Sequence, residues 1–206
     1  MPLTYDREMR KIILILGLIF CSSQSFAFYS VMESGDIVPE GSYRISAYPQ
    51  HNLTGDYSGL SAILGVDTAI NESTSVRAQV GTGAVDFIFG GSAKWVPIPD
   101  VDNQPAIGGA FGLTYGTKDG ESILAFRIHP IVSKGFDVDF GKVVPFASLP
   151  TGLTFFDGHT YYPLNLVAGS ELIFTELENV RFQAELSFDL HDSFSWVAIG
   201  ASYDFK

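Results

Sequence analysis

Every second residue is apolar through run after run of this chain from residue 41 onward. Tyr43, Ile45 and Ala47 alternate with Arg44, Ser46 and Tyr48, and Leu60, Ala62, Leu64 and Val66 alternate with Ser61, Ile63, Gly65 and Asp67. Val76, Ala78 and Val80 oppose Arg77, Gln79 and Gly81, and Val85, Phe87, Phe89, Ala93 and Trp95 oppose Asp86, Ser92 and Lys94. The same beat returns in Leu124, Phe126 and Ile128 against Arg127 and His129. It is longest near the end, where Val180, Phe182, Ala184, Leu186, Phe188 and Leu190 oppose Arg181, Gln183, Glu185, Ser187 and Asp189. A period of two is the mark of a strand with one oily face. Turn residues at 71–74, 117–120, 175–179 and 191–193 separate the runs, and the prolines of 97–105 exclude that stretch from a central strand. Residues 28–40, punctuated by Gly and Pro, read as a lead rather than a strand. The expectation is an all-β chain of about ten strands at bilayer-crossing length. Eight or twelve stay open, because residues 136–140 are ambiguous and Pro145 and Pro150 obscure the register of 142–155.

The last twelve residues carry the pattern to the end of the chain. Val197, Ile199, Ala201, Tyr203 and Phe205 form one side, and Trp196, Ala198, Gly200, Ser202 and Asp204 the other. This segment resembles the closing strand of small bacterial outer-membrane β-barrels, where alternating hydrophobics run into Tyr-x-Phe; Lys206, after the Phe that normally ends such a chain, is a departure. The resemblance implies a single antiparallel transmembrane β-barrel with an even strand number and both ends in the periplasm. It also implies that Val197, Ile199, Ala201, Tyr203 and Phe205 form the signal read by the outer-membrane assembly machinery. Outer-membrane lipid and lipopolysaccharide would be the surrounding partners. An exported soluble β-sandwich is the competing fold. Against it, the final strand is aromatic and lightly charged, a poor free edge. Its apolar parity is also free of charge, as lipid demands, since a misplaced charge there costs about 2–4 kcal/mol.

The N-terminus adds a compartment. Arg10 and Lys11 precede an apolar run over residues 12–20, and Ser25, Phe26 and Ala27 follow with the small residues of a cleavage site. Residues 1–27 are expected to be a cleaved signal peptide and residues 28–206 the barrel domain, with Met9 a candidate start. The run is too short to span a bilayer. Cys21, the single cysteine, follows the bulky Phe20, a poor lipid-attachment context; cleavage after Ala27 leaves a thiol-free protein. With 12 basic against 23 acidic residues, the chain repels phosphate backbones, so nucleic acid is excluded as a partner.

Candidate chemistry comes last because little of it stands out. On the inward parity lie Arg77, Lys94, Arg127, Glu171, Arg181, Glu185 and Asp189, with Arg44, Asp67, Asp86 and Asp204. They are expected to pair across a narrow lumen and fix its register; the alternative is a narrow pore for ions or small solutes that they line. His191 and Ser193 could face one side of a strand, and His-x-Ser faintly resembles the pair of outer-membrane lipid A deacylases. The following Phe194-Ser195-Trp196 does not continue that family's pattern, and turn chemistry explains the triplet. His129 and His159 lack ligand spacing, so no metal and no cofactor are expected. The function expected is that of an outer-membrane barrel with a structural or surface-interaction role.

Overall fold

The computed structural model describes residues 30–54 and 58–206; the expected signal peptide over 1–27 lies outside them. Thirteen strands follow one another: β1 (Tyr43–Asn52), β2 (Gly59–Asn71), β3 (Thr74–Thr82), β4 (Phe87–Ile98), β5 (Ala106–Lys118), β6 (Glu121–Ser133), β7 (Phe136–Val138), β8 (Gly141–Ser148), β9 (Thr151–Phe156), β10 (His159–Tyr161), β11 (Leu164–Phe174), β12 (Val180–His191) and β13 (Trp196–Phe205). Among the described residues the only helical turn is a 3-10 turn at Thr175–Leu177.

The ladder reduces thirteen segments to ten. Ser133 pairs with Phe146 and Phe136 with Val143 on a constant offset, so β7 continues β6 past a break at Lys134 and Gly135. Residues 136–140 therefore lengthen a strand and add none. Likewise β8 and β9 form one strand, paired in a single register with β6 on one side and β11 on the other. Its interruption falls at Pro150, which has no N–H to give to the ladder. β10 extends β11 by the same offset. Tyr43 opposite Phe205 and Arg44 opposite Asp204 then join β1 to β13, and the sheet closes. The protein is a closed, antiparallel, ten-stranded up-and-down β-barrel, and closure removes the aromatic edge that β13 would otherwise present.

Turn chemistry pins the hairpins. Asp119-Gly120 and Asp157-Gly158 each have both residues at positive φ, the backbone of a two-residue hairpin whose twist matches its strands. At the rim that holds Tyr43 and Phe205, Asp100 ties residues 99–105 to the break after β6. It accepts from the Lys134 ammonium and, at 2.6 Å, from the Gly135 amide. Partial burial raises the Asp100 carboxyl, but these donors outweigh it and hold the group below its ordinary range.

Side chains alternate out and in as the period of two requires. Tyr43, Ile45, Leu64, Phe89, Trp95, Phe111, Ile128, Leu186, Ile199 and Tyr203 stand exposed on the outside. Outward aromatics meet across strands, Tyr43 stacked on Phe205 and Phe89 tilted against Tyr115. Val85 is an exception to the expected parity. It precedes β4 in a tight turn, where it folds inward and is buried, while Asp86, expected inward, is exposed and accepts from the Asp119 amide at the rim.

Candidate functional site

The middle of the lumen is filled by the chain itself, and at the rim beside Tyr43 a cavity of about 470 Å³ remains, lined by Asp36, Ser133, Lys142 and Arg181 among others. Residues 30–34 are buried, and the segment runs inward from the rim beside Tyr43 before β1 begins. Its backbone cannot pair as a strand with a barrel that is already closed, so its polar groups must find side chains. They find charged ones. The amides of Val31 and Met32 donate to the two oxygens of Glu185 at 3.0 and 2.6 Å, and Trp196 Nε1 donates to the same carboxylate at 2.7 Å. Met32 has φ of 40°, a left-handed conformation that lets successive amides point at one anion, as in a backbone nest. The Ser34 amide donates to Glu171 at 3.0 Å, the Gly35 amide to Ser133 Oγ at 2.9 Å, and the Ser30 amide to Gln50 Oε1 at 2.8 Å.

The carbonyls turn to the opposite wall. Arg77 donates to the carbonyl of Val31 at 3.2 Å, and Lys94 Nζ to those of Ser34 and Asp36 at 3.1 and 2.7 Å. The carboxylates of β11 and β12 therefore accept from the amides of Val31, Met32 and Ser34, while β3 and β4 donate to the segment's C=O groups. Between them sits Glu33. Its Oε2 lies 3.2 Å from Lys94 Nζ and 3.8 Å from Arg77 Nη2, and its Oε1 is 3.4 Å from His129 Nε2. Asp67 Oδ1 holds Arg77 Nε at 2.7 Å. Nearer the rim, Asp36 reaches Arg181 at 2.6 Å, and Asp204 bridges Arg44 at 2.5 Å and Arg181 at 3.2 Å.

Toward the other rim the lumen is apolar. Ile63, Val85, Ile88, Ile123, Phe194 and Trp196 are buried there in one cluster with Val31 and Met32. Inward glycines make room for it. A Cβ on Gly200 would stand 2.5 Å from that of Tyr48, and one on Gly169 would meet the Phe146 ring at 2.3 Å. Space that small residues suggested for a channel is shared between their large neighbours and the segment's Val31 and Met32.

The structure brings most of the expected lumen residues to the segment. Arg77 and Lys94 converge on Glu33, Glu171 and Arg181 meet at 3.4 Å, and Glu185 holds the segment's amides. Arg127 lines a space of about 30 Å³ together with Glu33 and His129. Asp189 stands apart, accepting the Ser193 amide in the turn beyond β12. Sequence reasoning missed Glu33 and Gln50 as lumen groups, and it put Tyr48 and Trp196 on the inward side without a role. The available signal for Glu33 was an acid between Met32 and Ser34 in a Gly/Pro-punctuated stretch, too weak to place it. At the far rim, Ser193 is fully buried and its hydroxyl donates to Asn165 Oδ1 at 2.5 Å, while His191 is exposed and faces Asp192 at 3.5 Å. The two do not form a nucleophile–base pair. Val197, Ile199, Ala201, Tyr203 and Phe205 share the outer side of β13, with Ile199 59% exposed.

These features define a class: a ten-stranded barrel with an apolar outside and a lumen closed by the chain's own N-terminal segment. No protein-family model and no curated protein matches the sequence. Among solved structures, the beta domain of the Bordetella autotransporter Brka is similar at 10% identity, with 80% of this chain and 98% of that one covered and a TM-score of 0.49. An outer-membrane channel from Pseudomonas putida F1 is similar at 10% identity, 87% and 100% coverage and a TM-score of 0.49. The outer-membrane enzyme PagL is similar at 14% identity, 79% and 99% coverage and a TM-score of 0.33. Their functions differ from one another and none transfers at this likeness; the fold assignment stands on the closed ladder itself.

Proposed function

We propose that this protein is a bacterial outer-membrane barrel closed at rest by residues 30–38, with a structural or surface-interaction role rather than that of a standing pore. The observation that carries the reading is the pairing of the segment's amides with Glu171 and Glu185 inside the lumen. An open channel of this size would leave those carboxylates to water; here they have protein donors. The exposed apolar outside supports a lipid environment, because no soluble fold gains by exposing Leu64, Phe111, Ile128 and Ile199 together. Outer-membrane lipid and lipopolysaccharide would cover that surface. The β13 face would engage the assembly machinery after export.

Two measurements together test this. Expressed with its N-terminus intact, the protein should be recovered in outer-membrane fractions and migrate faster on gels before boiling than after. Refolded into liposomes, it should retain a trapped small sugar. A monodisperse protein in buffer without detergent would refute the membrane assignment, and rapid sugar release would refute closure.

A further inference from the structure

Glu33 occupies a seat whose other parts belong to the wall. Lys94 comes from β4, Arg77 from β3 and His129 from β6, and each is at most 8% exposed. Asp67 is the wall's own acid there, paired with Arg77 at 2.7 Å. The two permanent cations in contact with the seat's acids meet two carboxylates, with Arg127 a third cation across the neighbouring space, and one of those carboxylates sits on a segment that no strand ladder holds. Withdrawing Glu33 takes from Lys94 the carboxylate that it contacts. A buried charge in that condition is strongly unfavourable and draws in an anion. The neighbouring space of about 30 Å³ joins the volume vacated by the carboxylate. Glu185, on the opposite wall, accepts from the Trp196 indole and the Val31 and Met32 amides and makes no ion pair with Arg77 or Lys94.

We infer that the Arg77–Lys94–His129 seat is a binding site for small carboxylate anions, occupied in the closed state by the chain's own Glu33. A barrel whose segment is displaced opens this seat to an anion from solution, while Glu171 and Glu185 lose their amide donors on the opposite wall. This rests on the reading of residues 30–38 as the closing element. The same geometry explains why the segment carries an acid at its midpoint: Glu33 is a tethered copy of the ligand.

The test uses the full chain with Glu33→Ala, which empties the seat, and Glu33→Gln, which keeps its shape but not its charge. Both are refolded in detergent and in planar bilayers. Formate is the probe, against chloride at equal ionic strength. Formate should raise the thermal-unfolding midpoint of Glu33→Ala above its value in chloride and leave wild type unmoved. Formate should lower the chloride current through any pore opened by Glu33→Gln. Equal midpoints in formate and chloride would overturn the site. The stability arm needs no conductance, so it reads the seat even where wild type leaks. A leaking wild type with formate rescue would sink the closed-barrel reading while keeping the anion site. A silent wild type without rescue would do the reverse.

Discussion

Replacing Glu185 with leucine isolates what holds the segment in the lumen. The carboxylate accepts from the Val31 and Met32 amides at 3.0 and 2.6 Å and from the Trp196 indole at 2.7 Å. Leucine accepts nothing, so three buried donors lose their partner. Each stranded donor costs about 1–3 kcal/mol, and the three are not additive, because the segment and the indole relax together. Breaking a buried charged interaction from one side generally costs about 3–5 kcal/mol, and roughly 4 kcal/mol is the expected loss here. There is a ceiling. If docking the segment is worth less than that, it leaves the lumen and its amides return to water. Leaving exposes Val31 and Met32, each worth about 1.5–3 kcal/mol when fully buried. The loss therefore shows either as a lower unfolding midpoint in guanidinium or as release of the segment. Release is read with Ser34→Cys in a Cys21→Ser background, because Ser34 is 1% exposed and a thiol there reacts with a maleimide only outside the lumen. Glu185→Leu should unfold more readily, label faster, or both. Stability within about 1 kcal/mol of wild type together with an unreactive thiol would refute the pairing.

Three further outcomes follow from the same geometry. Trp196→Ala removes a side chain at 0% exposure from the apolar part of the lumen and should cost about 3–5 kcal/mol in the same unfolding assay; a cost under 1 kcal/mol would mean that the cluster does not hold the barrel. Ile199→Arg puts a charge on the outer belt and should cost about 2–4 kcal/mol when the barrel folds into bilayers, while a soluble barrel would tolerate it without loss. Tyr203→Ala combined with Phe205→Ala should lower the yield of assembled protein in the outer membrane without preventing refolding in detergent; a normal yield would remove these residues from the assembly signal.

Strand identity was legible because lipid and lumen impose opposite demands on neighbouring positions. Leu186, Phe188 and Leu190 against Glu185, Ser187 and Asp189 cannot be exchanged by a register slip without putting charge in the belt. Residues 136–140 and Pro150 blurred the count, since continuity of an interrupted strand depends on its neighbours' register and not on its own residues. The inward charges were legible as inward but not as partners. Their destination is a stretch with no period to read: Glu33 contacts groups 44, 61 and 96 positions away. Nothing local in Ser-Val-Met-Glu-Ser-Gly-Asp announces a lumen. Trp196 was hidden for another reason: alternation places it opposite Val197, among small and polar neighbours, and only closure shows that the inner side holds an apolar cluster.

Single-channel recording on refolded protein tests closure most directly. Wild type should show no conductance above a lipid-only control, and a variant lacking residues 30–38 that still shows heat-modifiable migration should open discrete, stable steps. Equal stable conductance in both would contradict a barrel closed by its own N-terminal segment.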